Sequence, residues 1–278
     1  MRLATWNVNS LNVRLGHVLD WLATADVDVL CLQELKLTNE KYPQAELRAA
    51  GYESAVNGQK TYNGVAILSR LPMADISADM PDYADEQRRV IAATIGGVRI
   101  VCAYFPNGQS LESDKYRYKL DWLDAMQAYV ARQLAQHPRL ALLGDYNIAP
   151  EDRDVHDPAA WEGQVLVSPK ERAAWSALLG QGMVDCYRLF EQAEKSFSWW
   201  DYRMLGFRRN AGMRIDHILA SPQLAPDCRA CVIDRAPRKL EKPSDHAPVV
   251  ADFAAEQVVI GAQFDQSRAA LEQARSRH

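Results

Sequence analysis

The chain has 278 residues, of which 48% are hydrophobic and 24% charged, and this is ordinary for a soluble globular protein. Its 32 basic and 36 acidic residues give a net charge of −4, which argues against indiscriminate nucleic-acid binding by the whole surface but permits a local basic face. No run of about 18 apolar residues exists, and the first residues, MRLATWNV, lack the pattern of a signal peptide. We therefore expect no membrane span and a location in the cytoplasm.

The cysteines favour a reducing compartment and small structural roles. Cys31 and Cys102 lie in apolar runs, where a thiol behaves as a small hydrophobic group. Cys228 and Cys231 form a C-x-x-C, which is weak support for zinc or redox chemistry without a second ligand pair. Because free thiols persist in the reducing cytoplasm, the cysteine pattern agrees with the expected location.

Short apolar segments rich in Val, Ile and Leu predict strands of covered sheets. In chain order they are residues 2–8, 27–33, 64–69, 90–95, 98–105, 140–145, 214–220 and 247–253. Gly96 and Gly97 separate two of these segments directly, which predicts a tight hairpin.

Helical periodicity appears between the strands, at residues 13–25, 112–136 and 169–180. In the longest of these segments, apolar residues recur at spacings of three and four and form one stripe: Tyr116, Leu120, Leu123, Met126 and Val130. Ser168 before Pro169 and Glu171 resembles a helix start. Strands joined by hairpins and mixed with helices predict two packed sheets with helices outside.

One domain is expected over residues 1–253, because no low-complexity linker divides this part of the chain. Residues 254–278 follow the last apolar segment and are rich in Ala, Gln and Arg. We expect them to form a C-terminal extension, either a docked helix or a tail.

Polar side chains stand where several predicted strands end. Asn7 and Asn9 close the first strand on one face by alternation, and Glu34 follows the second. Asp145 and Asn147 close the segment LALLGDYN in the same way. Each of these residues taken alone is more often a cap or a turn former. Their recurrence at successive strand ends predicts a shared site.

The last two strands add further polar groups. Asp216 lies within MRIDHILAS, and Asp245 and His246 directly precede the final strand. Neighbouring residues in a strand point to opposite faces, so His217 cannot be the partner of Asp216 and is expected to be a packing histidine. His246 precedes its strand and is free to reach a carboxylate from another strand.

The residue types predict hydrolysis of a phosphate ester. Several carboxylates in one place repel each other unless a cation lies among them, and oxygen ligands suit Mg²⁺ or Mn²⁺ better than zinc. A metal polarises a phosphate while a second group orients the attacking water. Neither a G-x-S-x-G motif nor a P-loop motif is present, so a serine nucleophile and a nucleotide-binding loop receive no support.

Basic residues cluster in three segments: KYRYK at 115–119, FRRNAGMR at 207–214 and RAPRKLEK at 235–242. Each has the simple explanation of a solvated surface. Aromatic residues lie within or beside the first two, and this combination favours a platform for stacking nucleic-acid bases.

In this order, the segments resemble the exonuclease III family of DNA repair enzymes, within the endonuclease/exonuclease/phosphatase superfamily. The matching stretches cover residues 5–248: TWNVNSLNVRL, DVLCLQELKL, YNGVAILSR, YFPNG, GDYNIAPEDRDVHDP, SWWDYR with GFRRNAGMRIDHILAS, and KPSDHAP. The resemblance implies a four-layer α/β sandwich with its site at one rim between the sheets. It implies a DNA repair nuclease that depends on Mg²⁺ or Mn²⁺, acts on double-stranded DNA as a 3′–5′ exonuclease or at abasic sites, and is a monomer.

The resemblance also implies a role for each matched residue. Glu34 matches the principal metal ligand, with Asn7 beside it and Asp245 nearby. Asp145 matches the residue that orients or deprotonates the water, and Asn147 the residue that hydrogen-bonds the reacting group.

Three further residues match groups around the phosphate. His246 matches the residue that holds a phosphate oxygen, kept in place by Asp216. Tyr104 matches the phenol beside the scissile phosphate.

Residues expected to contact DNA are less firmly tied to motifs. The resemblance and the basic clusters together give these positions: Asn9, Asn107, Lys115, Trp199, Trp200, Arg208, Arg209 and Met213. Trp199 and Met213 are candidates for the wall of a pocket for a base-free sugar, whereas core packing is the competing interpretation for both tryptophans.

Leu166 is a candidate for substrate selection. In strong abasic-site endonucleases of this family the residue before VSPKER is typically small, and here it is Leu166. A bulky side chain that narrows the pocket would shift the balance from abasic-site cleavage towards trimming of 3′ ends. Another phosphodiesterase of the superfamily and a non-catalytic nucleic-acid-binding relative are the alternative functions.

Overall fold

The computed structural model describes residues 1–255, which form two facing six-stranded mixed sheets. The strands of the first sheet are β1 (Arg2–Asn7), β2 (Val29–Gln33), β3 (Glu53–Asn57), β4 (Val65–Ser69), β13 (Cys228–Ile233) and β14 (Val249–Phe253). Those of the second are β5 (Met73–Ala78), β6 (Val90–Ile95), β7 (Val98–Tyr104), β8 (Leu140–Asp145), β9 (Val184–Asp185) and β12 (Asp216–Ala220). A short ribbon joins β10 (Trp199–Trp200) to β11 (Gly212–Met213).

The two sheets resemble each other in the order and direction of their strands. It is β13-β14-β1-β2-β4-β3 in the first sheet and β5-β6-β7-β8-β12-β9 in the second. Each sheet has one parallel pair in its interior, β1 with β2 and β7 with β8, and the remaining pairs are antiparallel. Strands that run in one direction bring their carboxyl ends to one edge, so these two parallel pairs define one polar rim.

Helices cover the outer faces of the two sheets. Within the described residues they are α1 (Leu11–Ala25), α2 (Gln44–Ala49), α3 (Asp114–Gln136), α4 (Pro158–Trp161) and α5 (Pro169–Gly180). One apolar cluster lies between the sheets, one between the first sheet and α1, and one between the second sheet, α3 and α5. The four-layer α/β sandwich is therefore confirmed.

Details of the helix and hairpin predictions are also confirmed. The stripe on α3 faces the core, with Leu120 only partly buried. Ser168 caps α5, and its hydroxyl accepts from the backbone N–H of Glu171 in a capping box. Gly96 and Gly97 have φ of 55° and 76°, the left-handed conformation that a two-residue hairpin of this type requires. No helix in the described part of the chain is long and apolar enough to cross a membrane.

Six of the described strands were not predicted: the four edge strands of the two sheets, β3, β5, β9 and β13, and the two ribbon strands, β10 and β11. β3 and β13 close the two sides of the first sheet and β5 closes one side of the second. β5 is almost entirely exposed, and β3 and β13 alternate between buried and exposed residues. Because an edge strand needs few apolar residues, no apolar run marks these strands in the sequence.

The C-x-x-C lies on edge strand β13, where a bulge between Cys228 and Ala230 turns both Cys228 and Cys231 into the core. All five cysteines are free thiols and buried. The predicted C-terminal extension begins at residue 254 and lies almost wholly outside the described residues.

Candidate active site

The chain makes the same kind of backbone turn after β1 and after β8. The N–H of Asn9 donates to Asn7 Oδ1 at 2.9 Å, and the N–H of Asn147 donates to Asp145 Oδ1 at 2.9 Å. Asn9 and Asn147 have φ of 44° and 47°, a left-handed conformation that asparagine tolerates better than most residues. The two residues of each pair are therefore joined by a turn, in which the backbone of the second residue bonds to the side chain of the first. At Asn9 and Asn147 the chain is no longer extended, so the alternation of side chains along a strand does not explain where these residues lie.

Asn7 links the carboxylates of the two sheets. Its Nδ2 donates to Glu34 Oε1 at 2.8 Å and to Asp145 Oδ2 at 2.9 Å. Glu34 follows β2 with φ of 51°, and its carbonyl accepts from the N–H of Ser10 at 2.8 Å. Because the amide nitrogen of Asn7 faces the carboxylates, its oxygen is turned away from them. Asn7 thus lies in the predicted place but does not offer the oxygen atom expected of a metal ligand.

His246 connects two carboxylates of the second sheet. Its Nδ1 lies 2.8 Å from Asp216 Oδ2, and its Nε2 lies 3.6 Å from Asp145 Oδ2. Asp216 opposes Asp145 in the register of β12 and β8, which explains why one imidazole reaches both. His217 points to the other face, where it is buried and its Nε2 contacts the carbonyl of Ile148. The predicted separation of Asp216 from His217 is confirmed.

Burial and charge set the protonation of this group. Burial raises the pKa of Asp145 and that of Asp216, and the neighbouring His246 opposes both shifts. Burial alone would lower the pKa of His246, but the carboxylates of Asp216 and Asp145 together raise it above its usual value. His246 is therefore held as an imidazolium, with its charge beside two acidic groups.

Among residues 1–255, Glu34, Asp145 and His246 form the one group whose candidate ligand atoms all lie within 4.8 Å of one another. The carboxylate oxygens of Glu34 and Asp145 are the ligands that a hard cation prefers, and the imidazole of His246 lies beside them. Asp245 lies at the edge of this group, with Oδ1 3.9 Å from His246 Nε2. The candidate group shares Glu34 with the predicted ligand set of Glu34, Asn7 and Asp245, and Asn7 and Asp245 lie next to it.

Tyr104 ends β7 opposite Asp145 in the register of the parallel pair. Burial raises its pKa well above the usual value, and the charges of Glu34 and Asp145 add to the shift. The guanidinium of Arg89 lies 4.9 Å from the centre of the ring. Tyr104 is thus a neutral phenol that faces the carboxylates, where it was expected.

A cleft of about 660 Å³ opens beside Tyr104. Its walls include aromatic and basic side chains on both sides: Tyr62, Arg89, Tyr104, Asn107, Lys115 and Tyr118. Asn107 Nδ2 also donates to Asn147 Oδ1 at 3.3 Å, so this residue lies between the cleft and the carboxylate group. Two of the predicted DNA contacts, Asn107 and Lys115, therefore share one concave surface next to the site.

The remaining predicted DNA contacts separate into exposed and buried residues. Arg208 and Arg209 are exposed. Trp199 is half-buried, and its indole N–H donates to Asp245 Oδ2 at 3.1 Å. Trp200 and Met213, by contrast, are 0% exposed and lie in the core, as the competing interpretation for the tryptophans expected. Trp200 packs against Phe207, and Met213 packs beneath Trp199.

Asn9 is part of the polar network around Glu34. Its Oδ1 accepts from Lys36 Nζ at 2.6 Å, and its Nδ2 donates to Asp245 Oδ1 at 3.3 Å. The predicted contact of Asn9 with DNA therefore competes with bonds inside the protein. Lys36 was missed in the sequence, although it directly follows the LQEL segment and its Nζ lies 3.5 Å from Glu34 Oε2.

Ser198 is a second residue without a sequence signal. Its hydroxyl oxygen accepts from the N–H groups of Ile215 and Asp216, each at 3.0 Å, and so fixes the start of β12. Serine is common in loops, and only the folded chain shows which backbone groups it satisfies.

Leu166 lies below the site in an apolar cluster with Met213, Val165 and Ile215, against which Trp199 packs. It is 3% exposed and has φ of 76°, which is rare for a leucine. Its carbonyl accepts from the N–H of Ala149 at 2.8 Å, close to the turn that carries Asn147. A bulky side chain thus fills the predicted position next to the half-buried indole.

Comparison with known proteins gives the same class as the fold and the site. The sequence matches the Endonuclease/Exonuclease/phosphatase family over residues 4–246, and the chain belongs to that family. It is 34% identical over 266 residues to an exodeoxyribonuclease III from Haemophilus influenzae, with 91% of this chain and 100% of the relative covered. The exonuclease III resemblance seen in the motifs is thereby confirmed.

Two solved structures share the whole fold. A 3′ phosphatase from Neisseria, bound to a product DNA hairpin, is 45% identical with a TM-score of 0.90, covering 91% of this chain and 99% of that one. An AP endonuclease from Archaeoglobus fulgidus is 38% identical with a TM-score of 0.88, again covering 91% of this chain and 99% of that one.

Proposed function

We propose that this chain, a DNA repair nuclease of the exonuclease III type, removes phosphate and nucleotide groups from 3′ ends of duplex DNA and cleaves abasic sites more slowly. The observation that carries the proposal is the convergence of Glu34, Asp145 and His246 at strand ends from both sheets, within 4.8 Å of one another. The carboxylates expected for catalysis are all present, which disfavours a non-catalytic relative.

The carboxylate of Glu34 is suited to hold a divalent metal, with Asp245 as a further acidic group at the edge of the site, and Asp145 is assigned to the attacking water. Carboxylate oxygen atoms favour Mg²⁺ or Mn²⁺ over softer metals. When bound, such a metal offsets the repulsion between the carboxylates and polarises a phosphate oxygen. Asn7 holds both carboxylates in place through its amide nitrogen.

Asp145 is the residue best suited to orient and deprotonate the attacking water. Burial raises its pKa, which makes it a stronger base than a surface carboxylate, and Asn7 and the N–H of Asn147 hold its two oxygens. One amide hydrogen of Asn147 is bonded to the carbonyl of Phe105 at 2.9 Å, which leaves the other for the reacting group.

The phosphate itself meets a cation and a neutral donor. His246, charged and held by Asp216, is suited to bind a phosphate oxygen. The phenol of Tyr104 donates from the other side of the carboxylate group, and its high pKa keeps it protonated at neutral pH. The cleft beside Tyr104 supplies basic and aromatic side chains for the DNA strand.

The preference for 3′ ends rests on Leu166. Its buried side chain packs with Met213 beneath Trp199, where a base-free sugar would need room. The relative described as a 3′ phosphatase is 45% identical to this chain and the AP endonuclease is 38% identical. The higher identity to the 3′ phosphatase also favours activity at 3′ ends. AP endonuclease activity as the main reaction is the second candidate, because the half-buried Trp199 still offers an apolar wall.

Purified protein with Mg²⁺ or Mn²⁺ should be tested on duplexes with a 3′-phosphate, a nick, a blunt end or an abasic analogue, with EDTA as control. We expect all activities to stop in EDTA and the 3′-phosphate to be released faster than the abasic duplex is cut. Full activity in EDTA contradicts the metal role. Faster abasic cleavage contradicts the preference and leaves the nuclease assignment standing.

A further inference from the structure

A fully buried lysine lies behind the active site. Lys119, on α3, is 0% exposed, and its Nζ donates to the carbonyl of Asn147 at 2.7 Å and to that of Asn107 at 3.1 Å. Its third partner is the carboxylate of Glu171, with which it forms an ion pair. An ammonium group has three N–H donors, and each has one acceptor here.

Glu171 continues this network to the Leu166 segment. One carboxylate oxygen accepts from the N–H of Leu166 at 3.0 Å, and the other accepts from the N–H of Ser168 at 3.1 Å and from its hydroxyl at 2.5 Å. The hydroxyl of Tyr116 lies 2.7 Å from Ser168 Oγ. Every polar atom of the pair is therefore bonded to backbone or to a neighbouring side chain.

We propose that Lys119 and Glu171 act as a positioning pair, which fixes the backbone of Asn107, Asn147 and Leu166 relative to one another. The proposal rests on the roles proposed above for these three residues. Lys119 touches neither substrate nor metal ligand in it, and acts only through the carbonyls that it holds.

The strain in the held segments explains why such a pair is needed. Asn147 and Leu166 have φ of 47° and 76°, and Gly108, next to Asn107, has φ of 97°. Backbone in such conformations persists only when surrounding contacts hold it. A buried ion pair, by contrast, adds little to stability compared with apolar residues of the same size. Its position beside the left-handed residues Asn147 and Leu166 is thus better explained by geometry than by stability.

The test replaces both charges at once. In Lys119→Met/Glu171→Met no buried charge is left unpaired, but the backbone groups bonded to the pair lose their partners, so we expect the variant to fold with a lower Tm than the wild type. On a 3′-phosphate duplex with saturating Mg²⁺, we expect kcat to fall about 10- to 100-fold while KM changes less than about threefold, because misplacement of the catalytic group affects the transition state and not initial binding.

Arg99→Met is the matched control. Arg99 is also buried, at the end of β7 remote from Tyr104, and donates to Gln133 Oε1 at 2.9 Å and to the carbonyl of Asp75 at 2.7 Å. Its loss should lower Tm and leave kcat unchanged. A folded double variant with kcat within about twofold of the wild type overturns the proposal.

If the double variant does not fold, Glu171→Gln tests the positioning role of the pair instead. It keeps an acceptor for the N–H of Leu166 but removes the charge that holds Lys119. We expect a fall of about 3- to 10-fold in kcat and faster amide hydrogen exchange at residues 147–149; unchanged values for both overturn the proposal. Asn147→Ala tests the underlying role separately. An active Asn147→Ala refutes the role of Asn147, whereas an inactive one beside a fully active pair variant refutes only the positioning pair.

Discussion

β1 and β8 end in the same kind of turn, but the side chains that they present differ in chemistry. Both strands are interior, both have a parallel neighbour, and both are followed by an asparagine with left-handed φ. Yet β1 presents the amide of Asn7 and β8 presents the carboxylate of Asp145, and the amide donates to the carboxylate. The backbone therefore fixes where the two groups stand, and the side chains alone divide the roles between a donor and a base.

The difference also keeps the charge of the site tolerable. Glu34 and Asp145 already lie within reach of one amide group, and both are partly or fully buried. A third carboxylate in the place of Asn7 would exchange two hydrogen bonds for repulsion. The comparison thus predicts that neither end tolerates the residue of the other.

The largest expected effect comes from Asp145→Asn, which makes the end of β8 chemically like that of β1. The shape is kept but the base is lost, so we expect kcat to fall by about 10²- to 10⁴-fold while the affinity for duplex DNA is maintained. Single-turnover cleavage and fluorescence anisotropy measure the two quantities. Cleavage at the wild-type rate excludes Asp145 as the base.

The reverse change, Asn7→Asp, should destabilise the protein by about 1–3 kcal/mol in EDTA, because two buried carboxylates lose their donor and gain a like charge. Mg²⁺ should restore part of the lost Tm. The double exchange Asn7→Asp/Asp145→Asn restores the number of charges and is expected to recover Tm but not cleavage. Equal Tm of the wild type and Asn7→Asp in EDTA would show that the amide bridge is unimportant.

A pH experiment tests the opposite face of the second sheet. There His217 lies on β12, opposite Gly144 of β8. Burial, with the charge of Arg214, lowers the pKa of His217 to about 4, against a usual value of 6.5. Between these values the unfolded chain binds the proton and the folded chain does not, so stability falls as pH drops from about 6.5 towards 4. At pH 5 the loss from this group is about 2 kcal/mol relative to pH 7.5.

Urea unfolding at pH 7.5 and pH 5.0 measures the effect, with His217→Asn as the comparison. The variant should lose less stability than the wild type over this interval. An identical loss in both proteins assigns the acid sensitivity to other groups.

Leu166→Gly tests the β8 side, because the carbonyl of Leu166 accepts from the N–H of Ala149 close to the turn after β8. Removal of the side chain should raise abasic cleavage relative to 3′-phosphate release by about 3- to 10-fold, which corresponds to the size of the apolar group removed. The ratio of kcat/KM on the two duplexes is the readout. An unchanged ratio removes Leu166 from substrate selection.

The smallest effect is expected at the exposed Arg209, far from both strand ends. If its side chain meets a phosphate, Arg209→Ala lowers affinity modestly and reduces the slope of log K against log salt by about 1. Arg208→Ala serves as the neighbouring comparison. A slope equal to that of the wild type means that the guanidinium stays in solvent.

The sequence predicted the interior strands because their residues are apolar on both faces, and it predicted the strand-end carboxylates because polar groups interrupt those runs. Edge strands such as β5 carry no such contrast. The burial of Trp200 and Met213 was not predictable, since a tryptophan or a methionine packs equally well in a core or a wall. Lys119 gave no signal either, because a lysine on a helix is normally exposed and only the tertiary fold shows its three acceptors.

The pairing of β1 with β14, Arg2 opposite Asp252, has a consequence for synthesis. The amide bridge is made by the seventh residue, while the imidazole that faces it, His246, enters only when nearly all of the described chain has been made. A polypeptide still emerging from the ribosome holds the carboxylates of Glu34 and Asp145 without that imidazole. The imidazole that we propose to bind the phosphate is therefore the last of these side chains to be synthesised, and we expect activity only after His246 has been added.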